Sequence, residues 1–379
     1  MKKVRRIIAL TVCMALMILA FAACAGEPDR ADSPQNVTTP PAGDVVPQPA
    51  NGTTQPADTA AQPANGAEEP APPAQEDVPT VFHIGIIQIM EHPALDDARI
   101  GFMNTITNVE GLQVEFDYHN AAGDAATMTA IAQRFVNNNV DLILAVGTGA
   151  AVAAAAETQA MVNPIPIVGT AITSYTRPGL AETDARPGFN ITGASDFKPV
   201  AAQVEMIEQF VPNIQTLGIL YSSGEPNSVV QGELARETAR ALGWSYVTGH
   251  VTGTADVQQV TDFVANQVDA IYIPTDNTFA VNMALVGQIS QDTRVPVFAA
   301  EANMVRTGGV ATLSFSYYDL GVASARQAAQ VLRGEAIVGE IPIYFSTNFF
   351  YIVNGYMAEQ LGIAIPEQFH AYIEWPENE

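Results

Sequence analysis

Only two of the 379 residues are cysteine, and both, Cys13 and Cys24, fall within the first 24 positions. The chain beyond Cys24 therefore has no thiol for a disulfide, a metal site or catalysis. Basic residues are scarce too. Sixteen Lys and Arg stand against 40 Asp and Glu, for a net charge of −24 and a pI near 4.3. No basic stripe can be built from so few cations, which argues against a nucleic-acid partner. The signatures of common catalytic sites are missing: no GxSxG, no HExxH, no glycine loop ending in GK[ST]. No enzymatic activity, metal or cofactor is expected. The apolar run Ile7–Phe21 falls short of the ~20 residues of a spanning helix.

That run has a different meaning. Lys2, Lys3, Arg5 and Arg6 precede it and Ala22-Ala23-Cys24 follows it. Basic start, apolar middle and small-residue end make a secretory signal; an uncleaved anchor is the competing reading. Phe21-Ala22-Ala23-Cys24 resembles the lipobox of bacterial lipoproteins, which implies lipid on Cys24 after cleavage. Residues 25–80 are rich in Pro, Ala, Gln and Thr, with Arg30 as the single basic residue. Such a segment buries too little apolar surface to fold and reads as a tether rather than a second domain.

From Val81 the pattern changes. Val81–Phe102 opens with a β-branched run, turns polar at Gln88, Glu91 and His92, and enters a helical pattern at Pro93. A strand buried on both faces that feeds a helix is the first unit of a parallel α/β sheet. Ligands bind such sheets beyond the carboxyl ends of the strands. Further strands are expected at Leu112–Tyr118, Val140–Val146, Ile165–Val168, Thr216–Tyr221, Trp244–Val251, Asp269–Ile273 and Val295–Ala299, with helices between them. The order strand, polar loop, helix repeats after about residue 195, which predicts two lobes of similar topology. The alternation of Val310–Phe315 and the helix Asp319–Leu332 suggest a return to the first lobe, and the segment from Asn348 a further crossing. The lobes are expected to comprise 81–194 with about 317–345, and 195–316 with about 346–379. Multiple crossings make a hinge, and hinged lobes close on ligands.

The polar strand ends supply the candidate site. In the first lobe they are Gln88, Glu91 and His92, then Thr148 and Gly149, then Thr170 and Ala171. In the second they are Ser223, Glu225 and Asn227, then Asp276 and Asn277, then Glu301. Amides at the helix start around Thr148 suit a ligand carboxylate. Each group also has a plain structural reading: His92, Asn227 or Asp276 as a helix cap, Gly147–Gly149 as a tight turn. Phe279, Tyr317 and Tyr318 are equally core residues or stacking surfaces.

The segments IGIIQIMEHPALDDARIGF, YSSGEPNSVVQ, VDAIYIPTDNT and YYDLGVASARQAAQVLRGE resemble the solute-binding lipoproteins of ABC importers for tryptophan, tyrosine and related amino acids. The resemblance implies a type I periplasmic-binding-protein fold, a ligand between the lobes, a permease and an ATPase as partners, and a lipid-anchored, extracytoplasmic location. It also favours a ligand role for Asp276. Thr148-Gly149 departs from the Thr-Pro pair frequent in that family. An amino acid in a closed cleft needs partners for both charges. The carboxylate is expected at Thr148, Gly149, Thr170 and Ala171, and the ammonium at Asp276, with Glu225 as alternate. A ligand sensor and a surface adhesin are the competing functions.

Overall fold

A computed structural model describes residues 80–375. Cys24, the signal and all but the last residue of the expected tether lie outside the described residues. The described chain forms two lobes. In the first, six parallel strands stand in the order β11-β5-β4-β3-β1-β2. They are β1 (Val81–Gln88), β2 (Gln113–Asn120), β3 (Leu142–Val146), β4 (Ile167–Ile172), β5 (Ile191–Ser195) and β11 (Tyr344–Phe345). Every residue of β3, β4 and β5 is buried, as the apolar runs demand. Ile84, Ile86 and Ile87 of β1 are wholly inaccessible. Each such side chain stabilises the lobe by about 1.5–3 kcal/mol. Helices α1 (Pro93–Thr107), α2 (Ala125–Asn137) and α3 (Thr148–Thr158) cover the faces.

The second lobe carries a four-stranded parallel sheet in the order β7-β6-β8-β9. These strands are β6 (Thr216–Ser222), β7 (Ser245–Val251), β8 (Ala270–Ile273) and β9 (Val297–Ala299). Its helices are α4 (Val200–Phe210), α5 (Pro226–Ala241), α6 (Val257–Ala265), α7 (Asn277–Ala280), α8 (Met283–Thr293) and α9 (Ala302–Thr307). A small second sheet joins β10 (Ala311–Ser314), β12 (Phe350–Asn354) and β13 (Ile373–Glu374). Helix α11 (Gly355–Leu361) follows β12.

Two expectations are corrected. The strand around Val310–Phe315 does not return to the first lobe, because β10 pairs antiparallel with β12. Only the next helix, α10 (Tyr317–Leu332), returns, and it packs along α1. Where one helix is expected between the strands Asp269–Ile273 and Val295–Ala299 there are two, with Asn282 as the N-cap of the second. Three segments connect the lobes: β5 to α4, β10 to α10, and β11 to β12.

The α1–α10 pair is close because both helices carry glycine at the crossing. A Cβ on Gly321 would lie 1.9 Å from the carbonyl oxygen of Ala98, and one on Gly101 2.2 Å from that of Tyr318. The returning helix is thus seated by backbone-to-backbone approach, which no larger residue permits. Gly321→Ala should force the helices apart and destabilise the protein by about 1–3 kcal/mol, as overpacking does. Denaturant unfolding measures this. An unchanged midpoint would mean that the crossing is loose.

Candidate functional site

The carboxyl ends of β1, β3 and β4 in one lobe meet those of β6, β8 and β9 in the other. Two cavities lie between them. One of about 160 Å³ is lined by Ile89, Met128 and Gly149 on one side and Glu225, Asn227 and Asn277 on the other. The second, of about 630 Å³, is lined by Thr148, Thr173 and Arg177 and by Ser223, Asn227 and Val230. The starts of α3 and α5 therefore border both.

On the first lobe, the expected residues divide sharply. Gln88 is buried but committed to its own lobe: Nε2 donates to the Met90 carbonyl and to Asp96 at 2.9 Å, and Oε1 accepts from Arg99 at 3.0 Å. Glu91 is exposed and accepts from the Tyr118 hydroxyl at 2.9 Å. Burial and the Glu91 hydrogen bond push the Tyr118 hydroxyl up to about 12. His92 occupies the N-cap of α1 but makes no side-chain cap bond; its ring reaches the other lobe instead. Nε2 lies 3.0 Å from Asn277 Oδ1, while Nδ1 is buried with no partner. Thr148 begins α3 after Gly147, whose φ of 94° favours glycine. The Thr148 and Thr170 hydroxyls are both buried without a partner. Ala171 adopts φ 56°, a rare conformation for alanine, where the β4–β5 register slips.

On the second lobe, most expected residues are tied to one another. Asp276 caps α7, with Oδ1 accepting from the Phe279 amide at 2.9 Å and Oδ2 from the Ser222 amide at 2.6 Å. The Glu225 carboxylate accepts four bonds, from the amides of Asn277 and Thr278 and from their side chains. Four bonds fill its lone pairs, so Glu225 is not free to serve as the alternate ammonium acceptor. Burial, then the neighbouring Glu225 charge, push the Asp276 carboxyl up to about 8. Asn227 donates to the Thr275 carbonyl at 3.1 Å. Ser223 is exposed and donates to the Val251 carbonyl at 3.2 Å. Glu301 caps α9 through the amides of Asn303 and Met304 at 2.8 and 3.0 Å. Phe279 is a core residue and Tyr318 is partly exposed, its carbonyl against Gly101.

Sequence reasoning missed a buried cluster at the hinge. Lys198 is 0 % exposed. Its Nζ donates to the Tyr317 hydroxyl at 2.8 Å and lies 4.7 Å from the ring centroids of Phe315 and Tyr317. The Tyr317 hydroxyl donates to Asp196 Oδ2 at 2.8 Å, and Thr173 donates to Oδ1 at 2.7 Å. Burial pulls the Lys198 ammonium down, and the Asp196 charge opposes this. The signal was there: Lys198 is the only lysine after Lys3. Among the described residues no group of three or more His, Cys, Asp or Glu could hold a metal ion.

Two α/β lobes joined by three connections, with their strand ends facing across a cleft, define the type I periplasmic-binding-protein class. More narrowly, the chain belongs to the family described as ABC transporter substrate binding protein, whose profile matches residues 83–374. A tyrosine-binding protein of Clostridioides difficile strain R20291 is 31% identical over 275 residues, spanning 72% of this chain and 78% of that protein. The structure of an ABC domain from Streptococcus pneumonia in complex with L-Trp is 31% identical, with a TM-score of 0.73 over 78% of this chain and 99% of that one. The ligand-free, open structure of a substrate binding protein with adhesive properties from Clostridium difficile is 33% identical. Its TM-score is 0.60 over 79% of this chain and 100% of that one. At equal coverage, the lobes superpose better on the ligand-bound relative than on the open one.

The acid pair gives a pH signature. A carboxyl whose pKa is raised by folding stabilises the fold below its unfolded pKa of about 3.9, and that contribution is lost as the pH rises. For Asp276 the loss should run up to about 8. The difference in unfolding free energy between wild type and Asp276→Asn should therefore change steadily over this window in ligand-free protein. A difference independent of pH would show that Asp276 titrates normally.

Proposed function

We propose that this protein is the solute receptor of an ABC importer and that it captures a free amino acid, with an aromatic side chain, between its lobes. The observation that carries the reading is the set of three unpartnered buried polar atoms at the ends of β1, β3 and β4: His92 Nδ1, Thr148 Oγ1 and Thr170 Oγ1. Each is costly to leave without a hydrogen bond, by about 1–3 kcal/mol. A ligand with donors and acceptors at one end relieves that cost. The L-Trp complex and the tyrosine-binding relative point to the side-chain class. Thr148 and the amides at the start of α3 suit the carboxylate, with Thr170 and Ala171 at the adjacent strand end. The buried Glu225 carboxylate supplies a negative field for the ammonium. No step of catalysis is required of any residue.

Adhesion, a property ascribed to one relative, is the second reading; it needs no occupied cleft. Mass spectrometry of protein purified without denaturation should reveal a bound aromatic amino acid. Calorimetry with L-tryptophan, L-tyrosine and L-phenylalanine should show one-to-one binding. Thr148→Val keeps the volume but removes the hydroxyl, and should weaken binding by about 0.5–1.5 kcal/mol. Absence of binding for all three amino acids would remove the aromatic assignment.

The location follows the same reading. Substrate-binding proteins of ABC transporters act outside the cytoplasm. Here the signal would leave Cys24 as the lipidated first residue, with residues 25–80 as tether to the membrane. Cys24→Ser should shift the protein from the membrane fraction to the medium or leave it unprocessed. Unchanged membrane partition of processed protein would exclude the anchor.

A further inference from the structure

The tautomer of His92 follows from its neighbours, and it leaves a specific vacancy in the hydrogen bonding. Asn277 Nδ2 lies 2.6 Å from Glu225 Oε2. That carboxylate already accepts the amides of Asn277 and Thr278 at 3.1 and 3.0 Å. It acts as an acceptor only, so the NH2 of Asn277 must face it and the amide oxygen must face the other lobe. The group that meets this oxygen is His92 Nε2, at 3.0 Å. Nε2 therefore carries the hydrogen, and in the neutral ring Nδ1 presents a bare lone pair. His92 is 8 % exposed, and Nδ1 has no partner. A buried acceptor of this kind lacks one N–H or O–H donor.

We infer that His92 Nδ1 is the acceptor for the α-ammonium of the ligand, and that His92 ties recognition of that group to closure of the lobes. The assignment rests on the amino-acid reading above and names the residue that selects for the amine. The surroundings favour a cation over a neutral donor. Glu225 stands one hydrogen bond beyond Asn277, and Asp276 is next in sequence. Neither takes part in an ion pair among the described residues. Burial, and after it the Glu225 charge, raises the carboxyl of Asp276, and the second effect is that of like charges with no cation between them. An ammonium at Nδ1 supplies the missing charge without displacing any existing bond. It also spares Glu225, whose lone pairs are full.

The coupling comes from the ring having only one hydrogen when neutral. A ligand donor at Nδ1 holds that hydrogen on Nε2, where it forms the bond to Asn277 across the lobes. A ligand acceptor at the same place would draw the hydrogen to Nδ1 and leave Nε2 facing the Asn277 oxygen, two acceptors in contact. Closure is thereby favoured by an amine and opposed by a carboxylate placed there. The tight hold of Glu225 on Asn277 gives the device its rigidity, since the amide cannot flip without breaking the 2.6 Å bond.

The test compares L-tryptophan with indole-3-propionate, the same molecule without its amine, on wild type and His92→Phe. Wild type should prefer L-tryptophan, and in His92→Phe that preference should shrink by about tenfold or more. Affinity for indole-3-propionate should change far less. Nitrogen NMR of histidine-labelled wild type supplies a reading that needs no variant to fold. The His92 ring should show hydrogen on Nε2 without ligand, and the Nδ1 resonance should move on adding L-tryptophan but not indole-3-propionate. An equal preference in wild type and His92→Phe, or hydrogen on Nδ1 in the L-tryptophan complex, overturns the assignment alone. Failure of wild type to bind any free L-amino acid overturns it together with the proposed function.

Discussion

A strand buried on both faces can carry chemistry only at its ends. Every residue of β3, β4 and β5 is enclosed, so no polar side chain there can meet a solute without opening the sheet. Parallel strands all end on the same edge, so the polar residues that the sequence allows collect on one side of each lobe. Two such edges facing each other make the cleft. The helices that follow the strands then decide how each edge behaves. At α7 and α9 the first amides are already taken by Asp276 and Glu301. At α3 the N-cap is Gly147, which has no side chain to offer, and Thr148 behind it has an idle hydroxyl. The two edges thus differ in kind: the acids of the second edge are already bound to helix-start amides, and the first edge holds the idle His92, Thr148 and Thr170 atoms.

The hinge solves a separate problem. Segments crossing between lobes must bend without exposing their polar backbone or losing their register. Here the connection after β5 buries a whole lysine, at a desolvation cost of several kcal/mol unless it is paired. Lys198 meets that need through the Tyr317 hydroxyl, which relays to Asp196, and through the faces of Phe315 and Tyr317. These residues come from two of the three crossing segments. The pair is therefore intact only when both segments run together, whatever the lobes beyond them do. Thr173, bonded to Asp196, extends the cluster to the end of β4 and so to the floor of the cleft.

How much of this was legible in the sequence depends on what each feature rests on. Strands such as Leu142–Val146 and Thr216–Ser222 announce themselves, because apolar runs bounded by Gly, Ser or Asn have few other uses. Short elements carry no such pattern. β11 is two residues long and pairs only because the chain returns beside β5. The break between α7 and α8 at Asn282 is invisible to periodicity, since the apolar residues continue through it. The strand-end residues were found by the same rule that found the strands. Their individual states were not. Whether Gln88 faces the cleft or Arg99, and whether Glu225 is free or filled, depends on neighbours about 10 and 50 residues away. No local pattern encodes those. His92 read equally as cap or cleft residue, and only the position of Asn277, 185 residues on, separates the two.

The asymmetry between the edges has an energetic consequence. The second lobe gathers two buried acids, Glu225 after β6 and Asp276 after β8, and burial together with the Glu225 charge raises the Asp276 carboxyl. The first lobe gathers buried polar atoms that lack partners. Each is a local cost, and neither can be relieved by the other directly, because a carboxylate and a bare imidazole nitrogen are both acceptors. What relieves both at once is a third body with hydrogens to donate and positive charge, set between them. A carboxylate on the same body would suit the amides and hydroxyl at the start of α3. An amino acid has both groups on one carbon; the proposed partners of both, His92 Nδ1 and the start of α3, lie on the first lobe, and Asn277 joins the second lobe to them through His92 Nε2. The unmet hydrogen bonds of the first lobe thus stand beside the acids of the second, and the His92–Asn277 bond is the contact through which the proposed solute would feel both.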